Sequence, residues 1–290
     1  VSKLGDAQQA KIEKAAADLA NSKGDALVVC GTNNKNEQLM ANAINRMLGN
    51  YNNTITWDRP NYMRQGSDQA VSDLIAEMNG GGVDMLMIYN VNPAYDLSNA
   101  SDFVSAMEKV DVTISSNITE DETTALCKYL CPDNHALESW NDAEPKQGSF
   151  SISQPTIQPL FDTRQTQDSL LKWANNGGGY HAFMQENWET NILANELTPG
   201  LAWQNAQHNG VYELPVANDE FVENPADVSQ LNVGGGGSGL EVILYEKTGI
   251  GDGRYTSNPW LQEMPDPVSK ITWDNYITAS PTWAEEKGFE

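Results

Sequence analysis

Val83-Asp-Met-Leu-Met-Ile-Tyr-Asn90-Val-Asn92-Pro93 is the stretch on which the fold turns. Its apolar run follows Gly80-Gly-Gly and stops at an Asn-Pro turn, the boundaries of a strand. Just before it, residues 68–78 carry Val71, Leu74, Ile75 and Met78 at helical spacing. Just after it, residues 101–109 read as a helix that leads into a second strand at 110–114. Thr119-Glu-Asp-Glu then opens another predicted helix, its acids in the first turn where the macrodipole favours them. Tyr129-Leu-Cys-Pro follows as a very short strand. Toward the N-terminus the same grammar holds. Residues 6–20 predict a helix capped by Asp6 and stopped at Gly24, and residues 26–30 predict a strand. The turn Gly31-Thr-Asn-Asn precedes an amphipathic helix through Leu39, Met40, Ala43, Ile44, Met47 and Leu48. Strands alternating with helices roughly every 25 to 30 residues predict an α/β fold with a doubly wound, mostly parallel, Rossmann-like sheet over residues 1–175.

Beyond Gly177-Gly-Gly the pattern changes. Residues 180–194 and 199–207 read as helices, and 215–233 as an acidic, Asn-rich connection. Gly234-Gly-Gly-Gly-Ser-Gly has the composition of a flexible linker. Leu240-Glu-Val-Ile-Leu-Tyr predicts a strand. Residues 176–239 are therefore expected to form a helical segment with a linker, and 240–290 a β segment. The chain opens on Val1 rather than Met, which we read as a cut or processed end.

Lys and Arg number 17 against 40 Asp and Glu, so the net charge is −23 and the pI about 4.3. Such a chain repels a phosphate backbone, which excludes nucleic acid as a main partner. No window approaches the ~20 apolar residues of a membrane span. No basic-then-apolar export signal is present either. Three cysteines (Cys30, Cys127, Cys131) cannot supply a four-thiolate iron–sulfur cluster by themselves.

Cys127, Cys131 and His135 are spaced as zinc ligands could be, yet no fourth ligand lies nearby and the two thiols are expected to point apart. No metal or catalytic residue is assigned. The glycine runs match neither a phosphate loop nor a dinucleotide fingerprint. No Gly-x-Ser-x-Gly or His-Glu-x-x-His is present. The strand-end loops say more, because an open parallel sheet binds ligands there. They contain Gly31, Thr32 and Asn33; Asn90, Asn92 and Pro93; Ser115 and Asn117. These amides and hydroxyls suit a nucleotide's base or ribose. Asn also simply tolerates tight turns.

Six stretches, in order, resemble one family: Val28-Val-Cys-Gly-Thr-Asn; Ala43-Ile-Asn-Arg-Met-Leu-Gly-Asn; the 83–93 stretch; 120–143 around Tyr129-Leu-Cys-Pro; Gln154-Pro-x-Ile-x-Pro-Leu-Phe-Asp-Thr-Arg; and Asp252-Gly-Arg-Tyr-x-x-Asn-Pro-Trp-Leu-Gln-Glu. They are similar to the third domain of molybdopterin oxidoreductases and the opening of that family's β-barrel domain. Trp203-Gln-Asn-Ala-Gln-His-Asn-Gly and Leu244-Tyr-Glu-Lys-Thr-Gly narrow the resemblance to the iron–sulfur subunit of alternative complex III, a quinol:cytochrome c oxidoreductase.

The resemblance implies a non-catalytic structural domain of a respiratory electron-transfer subunit on the periplasmic side of the inner membrane. Its partners would be other subunits of the complex and other domains of its own parent. Iron–sulfur clusters would lie elsewhere in that parent. The strand-end loops would correspond to the nucleotide side of a molybdopterin guanine dinucleotide site, with no cofactor held by these residues. The alternatives are a fragment of an active molybdopterin guanine dinucleotide enzyme and a free-standing nucleotide-binding module. One departure from the family pattern is Lys128, which stands where the usual helix has an acid. Asn33, Asn90, Asn92 and Asn117 are expected to bond backbone or solvent.

Overall fold

Met85–Ile88, from the decisive stretch, form strand β1. It pairs in parallel with β2 (Val112–Ser115), and β2 pairs in parallel with β3 (Tyr129–Leu130). Met85 sits opposite Val112, Ile88 opposite Ser115, and Ser115 opposite Leu130, so sheet order follows chain order. Parallel neighbours need a crossover rather than a hairpin. Between β1 and β2 it is made by α4 (Pro93–Asp96) and α5 (Ala100–Met107). The computed structural model describes residues 5–32, 34–63, 65–215, 240, 242–253 and 255–289. These fall into two compact units, one of residues 1–65, 140–154 and 181–242, the other of 66–139, 155–180 and 243–290.

The second unit holds the parallel sheet. Leu86 and Ile88 share one face of β1, two residues apart. They are buried with Ile75 and Met78 of α3 (Asp68–Asn79), with Phe103, Ala106 and Met107 of α5, and with Val110. The helical spacing read in the sequence is thus the packing surface itself. Helix α3 starts where Ser67 accepts a bond from the Ala70 amide at 3.2 Å. Helix α6 (Thr166–Trp173) comes once the chain has returned from residues 140–154 of the first unit, and α9 (Pro259–Glu263) and α10 (Pro281–Lys287) lie near the end of the chain.

The first unit contains α1 (Asp6–Asn21) and α2 (Lys35–Met47). It also contains an antiparallel sheet of β4 (Asn141–Lys146), β5 (Ser149–Ser153) and β6 (Val211–Glu213). Pro145 cannot donate to a ladder, and the β4–β5 register slips between Ala143 and Lys146, on an edge strand where Pro is tolerated. Helix α7 (Tyr180–Asn187) runs into a π-helical turn, Trp188–Ile192, and α8 (Pro199–Asn209) precedes β6. Trp188 and Leu193 are fully buried beside Met184 and Trp203. The Trp188 ring meets Trp203 edge-on at 5.5 Å and Phe150 at 5.8 Å. Its indole Nε1 donates to Asp142 Oδ2 at 2.7 Å, which satisfies the one polar atom of a buried Trp.

The α/β class with a parallel sheet, helices and additional β structure holds, and no closed barrel is present among the described residues. Four local expectations are corrected. Residues 26–30 belong to no strand. Instead the side-chain amide of Asn45 pairs with them: Val28 N donates to its Oδ1 at 2.8 Å and its Nδ2 donates to Val28 O at 2.7 Å. Residues 119–126 form only a 3-10 turn at Thr124–Leu126, because Thr123 and Thr124 spend their hydroxyls on Asn92 and Ser115. Residues 240 and 242–245 lie in no strand, and no backbone hydrogen bond pairs them among the described residues. The 141–153 hairpin was not expected at all. The linker at 234–239 and most of the acidic connection lie outside the described residues. No described helix is long and apolar enough to cross a membrane.

Candidate functional site

All three parallel strands deliver their C-terminal ends to one loop cluster in the second unit. After β1 the chain turns at Asn90, whose φ of 53 is left-handed, a conformation Asn tolerates better than other non-glycine residues. Asn92 precedes α4, whose first residue is Pro93. The Asn92 side chain makes no capping bond to that helix. Its Oδ1 accepts from the Thr123 hydroxyl at 2.6 Å and from the Thr123 amide at 3.2 Å, while its Nδ2 donates to Glu122 at 2.7 Å. The Thr123 hydroxyl in turn accepts from the Ala94 amide at 2.9 Å. The bond from Asn92 holds the Glu122 carboxyl below its usual range.

At the end of β2, Ser115, Ser116 and Asn117 are all buried. The Ser115 hydroxyl shares a 2.9 Å bond with Thr124 and accepts from the Asn117 amide. Asn117 Nδ2 donates both to Val91 O at 2.8 Å and to Asp121 Oδ2 at 2.7 Å. Both partners are acceptors, which fixes the amide's orientation, and its Oδ1 is left buried with no partner among the described residues. After β3, Asp133 takes the Thr166 amide at the start of α6. Beside it Thr166 Oγ1 and Gln167 Oε1 are also buried without partners among the described residues. Tyr89 stands next to this group; burial, and then the charge of Asp133, push its phenol up.

Gly31 and Thr32 belong to the first unit. The Thr32 hydroxyl donates to Glu37, and Gln38 Nε2 donates to the carbonyls of Cys30 and Thr32, tying the loop to the first turn of α2. Asn33 lies outside the described residues.

The structure therefore gathers Asn90, Asn92, Pro93, Ser115 and Asn117 in one cluster. Two of the expected amides bond carboxylates and a hydroxyl as well as backbone. The sequence reading missed Asp121, Glu122, Thr123, Asp133, Thr166 and Gln167. Glu120-Asp-Glu-Thr-Thr reads in the sequence as a helix start, whereas in the structure Asp121, Glu122 and Thr123 bond the Asn92 and Asn117 amides. Loop residues 89–93, 115–124 and 131–135 contain four carboxylates and neither Lys nor Arg. The arrangement can accept hydrogen bonds from a donor-rich planar group. It opposes a pyrophosphate.

Cys127 is half-buried against the parallel-sheet core, where burial raises its thiol's pKa, and Cys131 is exposed. No group of three or more His, Cys, Asp or Glu that could hold a metal occurs among the described residues.

No known family profile matches the chain. Over 90 residues, 30% of this chain, it is 30% identical to the molybdopterin-binding-like subunit of menaquinone reductase from Nitratidesulfovibrio vulgaris. That match spans 13% of the subunit's length. Among solved structures, acetylene hydratase from Pelobacter acetylenicus superposes with a TM-score of 0.41 at 16% identity, covering 50% of this chain and 21% of that one. Along part of its length, then, this chain is similar to the molybdopterin-binding-like subunit of a menaquinone reductase.

Proposed function

We propose that this chain is a non-catalytic structural domain of a respiratory quinol oxidoreductase subunit, akin to the iron–sulfur subunit of alternative complex III on the periplasmic side of the inner membrane. The relationship to a menaquinone reductase subunit supports the respiratory setting. One observation carries the non-catalytic reading: Asn92 and Asn117, the amides best placed for a nucleotide, are bound to the chain's own Glu122 and Asp121. A molybdopterin guanine dinucleotide carries a pyrophosphate, and the residues around these loops do not fit it. Four carboxylates stand where cations would have to offset its charge. The loops in this reading tie strand ends together, and electrons travel through clusters held by other domains.

A second reading, a guanine-nucleotide site, is favoured by the buried unpartnered oxygens of Asn117, Thr166 and Gln167. Buried acceptors of this kind usually have partners, and a guanine edge offers donors. Calorimetry with GMP and metal analysis of the full-length parent separate the two. The expected result is binding no tighter than millimolar and no molybdenum. A dissociation constant below roughly 10 µM (about −7 kcal/mol) that is lost on Asn117→Ala, or molybdenum near one per chain, overturns the non-catalytic reading.

A further inference from the structure

Three Asn-Gly steps occur in this sequence: Asn79-Gly80, Asn176-Gly177 and Asn209-Gly210. Each has the same chemistry available. The glycine amide nitrogen can attack the preceding Asn side-chain carbon, closing a succinimide and expelling ammonia. Water then opens the ring to aspartate or isoaspartate. The attack needs a backbone N–H that is free to lose its proton and a side chain free to swing onto it.

The fold treats the three steps differently. Gly80 N is held in the last turn of α3 by Ala76 O at 3.0 Å, and the Asn79 side chain accepts from Lys109 Nζ at 2.8 Å. Gly210 N is held at the end of α8 by Ala206 O at 2.8 Å. Gly177 lies in the exposed loop after α6 and its N–H has no partner among the described residues. Moreover, Asn176 Oδ1 accepts from the Gly178 amide at 3.3 Å. That donor is aimed at the oxygen on which negative charge develops during ring closure. Arg164 and Lys172 line the same cavity of about 560 Å³, and neither side chain has a hydrogen bond or ion pair among the described residues. Both favour an anion there, first in the intermediate and then in the product.

We propose that Asn176 is a spontaneous modification site, the one Asn-Gly step that the folded chain leaves open to deamidation. The new carboxylate at position 176 shares this cavity with Arg164, Lys172 and Asp168, where two cations stand against one acid, and offsets that excess. The net charge of the chain becomes one unit more negative.

Peptide mapping by mass spectrometry of the purified chain, incubated at mildly alkaline pH, tests this. Asn176 is expected to convert first. Asn79 and Asn209 should lag by about fivefold or more, the factor set by opening one backbone hydrogen bond. In strong denaturant all three rates should converge, because each is an Asn-Gly step and the fold no longer separates them. Gly177→Ala should slow conversion at 176 through its added methyl. The melting temperature should not move, because an added Cβ there meets nothing within 4 Å and the backbone is not left-handed. Equal rates in the folded chain, a slower rate at Asn176, or rates that stay apart in denaturant would each overturn the proposal.

Discussion

Replacing Asn45 by Ala tests whether one side chain stands in for a missing strand neighbour. Asn45 is 2% exposed. Its amide makes three bonds at 2.7–2.9 Å, two to the backbone of Val28 and one to the Asn50 amide group. A buried hydrogen bond contributes about 0.5–1.5 kcal/mol net, and a donor or acceptor left without a partner costs about 1–3 kcal/mol. Val28 is only half-buried, so water can reach part of what is exposed. The sum is about 3 kcal/mol, a fall of roughly 6–12 °C in melting temperature for a unit of this size. Urea unfolding gives the magnitude, and hydrogen exchange at the Val28 amide gives the location. Asn45→Asp sharpens the test. The carboxylate can accept from Val28 N but faces Val28 O without a proton to donate. Acidification should therefore restore part of the loss, since the protonated acid donates again. A loss under about 1 kcal/mol for Ala, or an Asp variant insensitive to pH, would refute the reasoning.

Asp142→Leu removes the acceptor of the buried Trp188 indole and should cost about 1.5–3 kcal/mol, read by denaturant titration of Trp fluorescence. Asn92→Ala should loosen residues 120–124 by about 1–3 kcal/mol and speed hydrogen exchange at Thr123, leaving the β1–β2 amides protected. The Asp266 carboxyl is held down to about 2, chiefly by the Ser269 amide and then by that of Val268. A depressed acid favours the folded turn above its unfolded pKa near 3.8, and that preference fades as pH falls toward about 2, so the Ser269 amide resonance should shift in that window. Tyr212 behaves in the opposite sense. Burial, then its bond to Glu196, raises the phenol to about 12, so its contribution is complete below pH 10 and lost as pH climbs through about 12, which phenolate absorbance will follow.

The parallel sheet was legible because its signals are local. Val71, Leu74, Ile75 and Met78 repeat at helical spacing, and Leu86 and Ile88 alternate on a short strand. The 26–30 stretch carries the same apolar signal, but pairing depends on what lies alongside, and here an Asn side chain took that place. The hairpin was written in the alternation of Phe150 and Ile152 and in Gly148, whose φ of 72 makes the turn. Pro145 and Asp142 masked it, one by lacking a donor and the other by being a charge that answers a distant Trp. At the site, Asn90, Asn92 and Asn117 could be found from strand-end position alone. The partners of Asn92 could not, since Thr123 meets it only after the β1–β2 crossover brings the loops together, and Asp121, four residues from Asn117, was hidden by its helix-like setting.

The interleaving of the two units sets the order in which this chain can assemble. The β1–β2 core draws on residues 75–115, one contiguous stretch, and its loops close early. The antiparallel sheet waits far longer: Ser149 bonds Glu213 across 64 residues, and Arg59 reaches the same carboxylate across 154. Closing longer loops adds only slowly to the entropic cost but strongly retards folding. On a ribosome the parallel core can form while residues 1–65 still lack their partners, so those residues must stay unaggregated until 211–213 emerge. Pulse-labelled hydrogen exchange should accordingly protect Leu86 and Ile114 before Phe150 and Tyr212, and the reverse order would contradict this account.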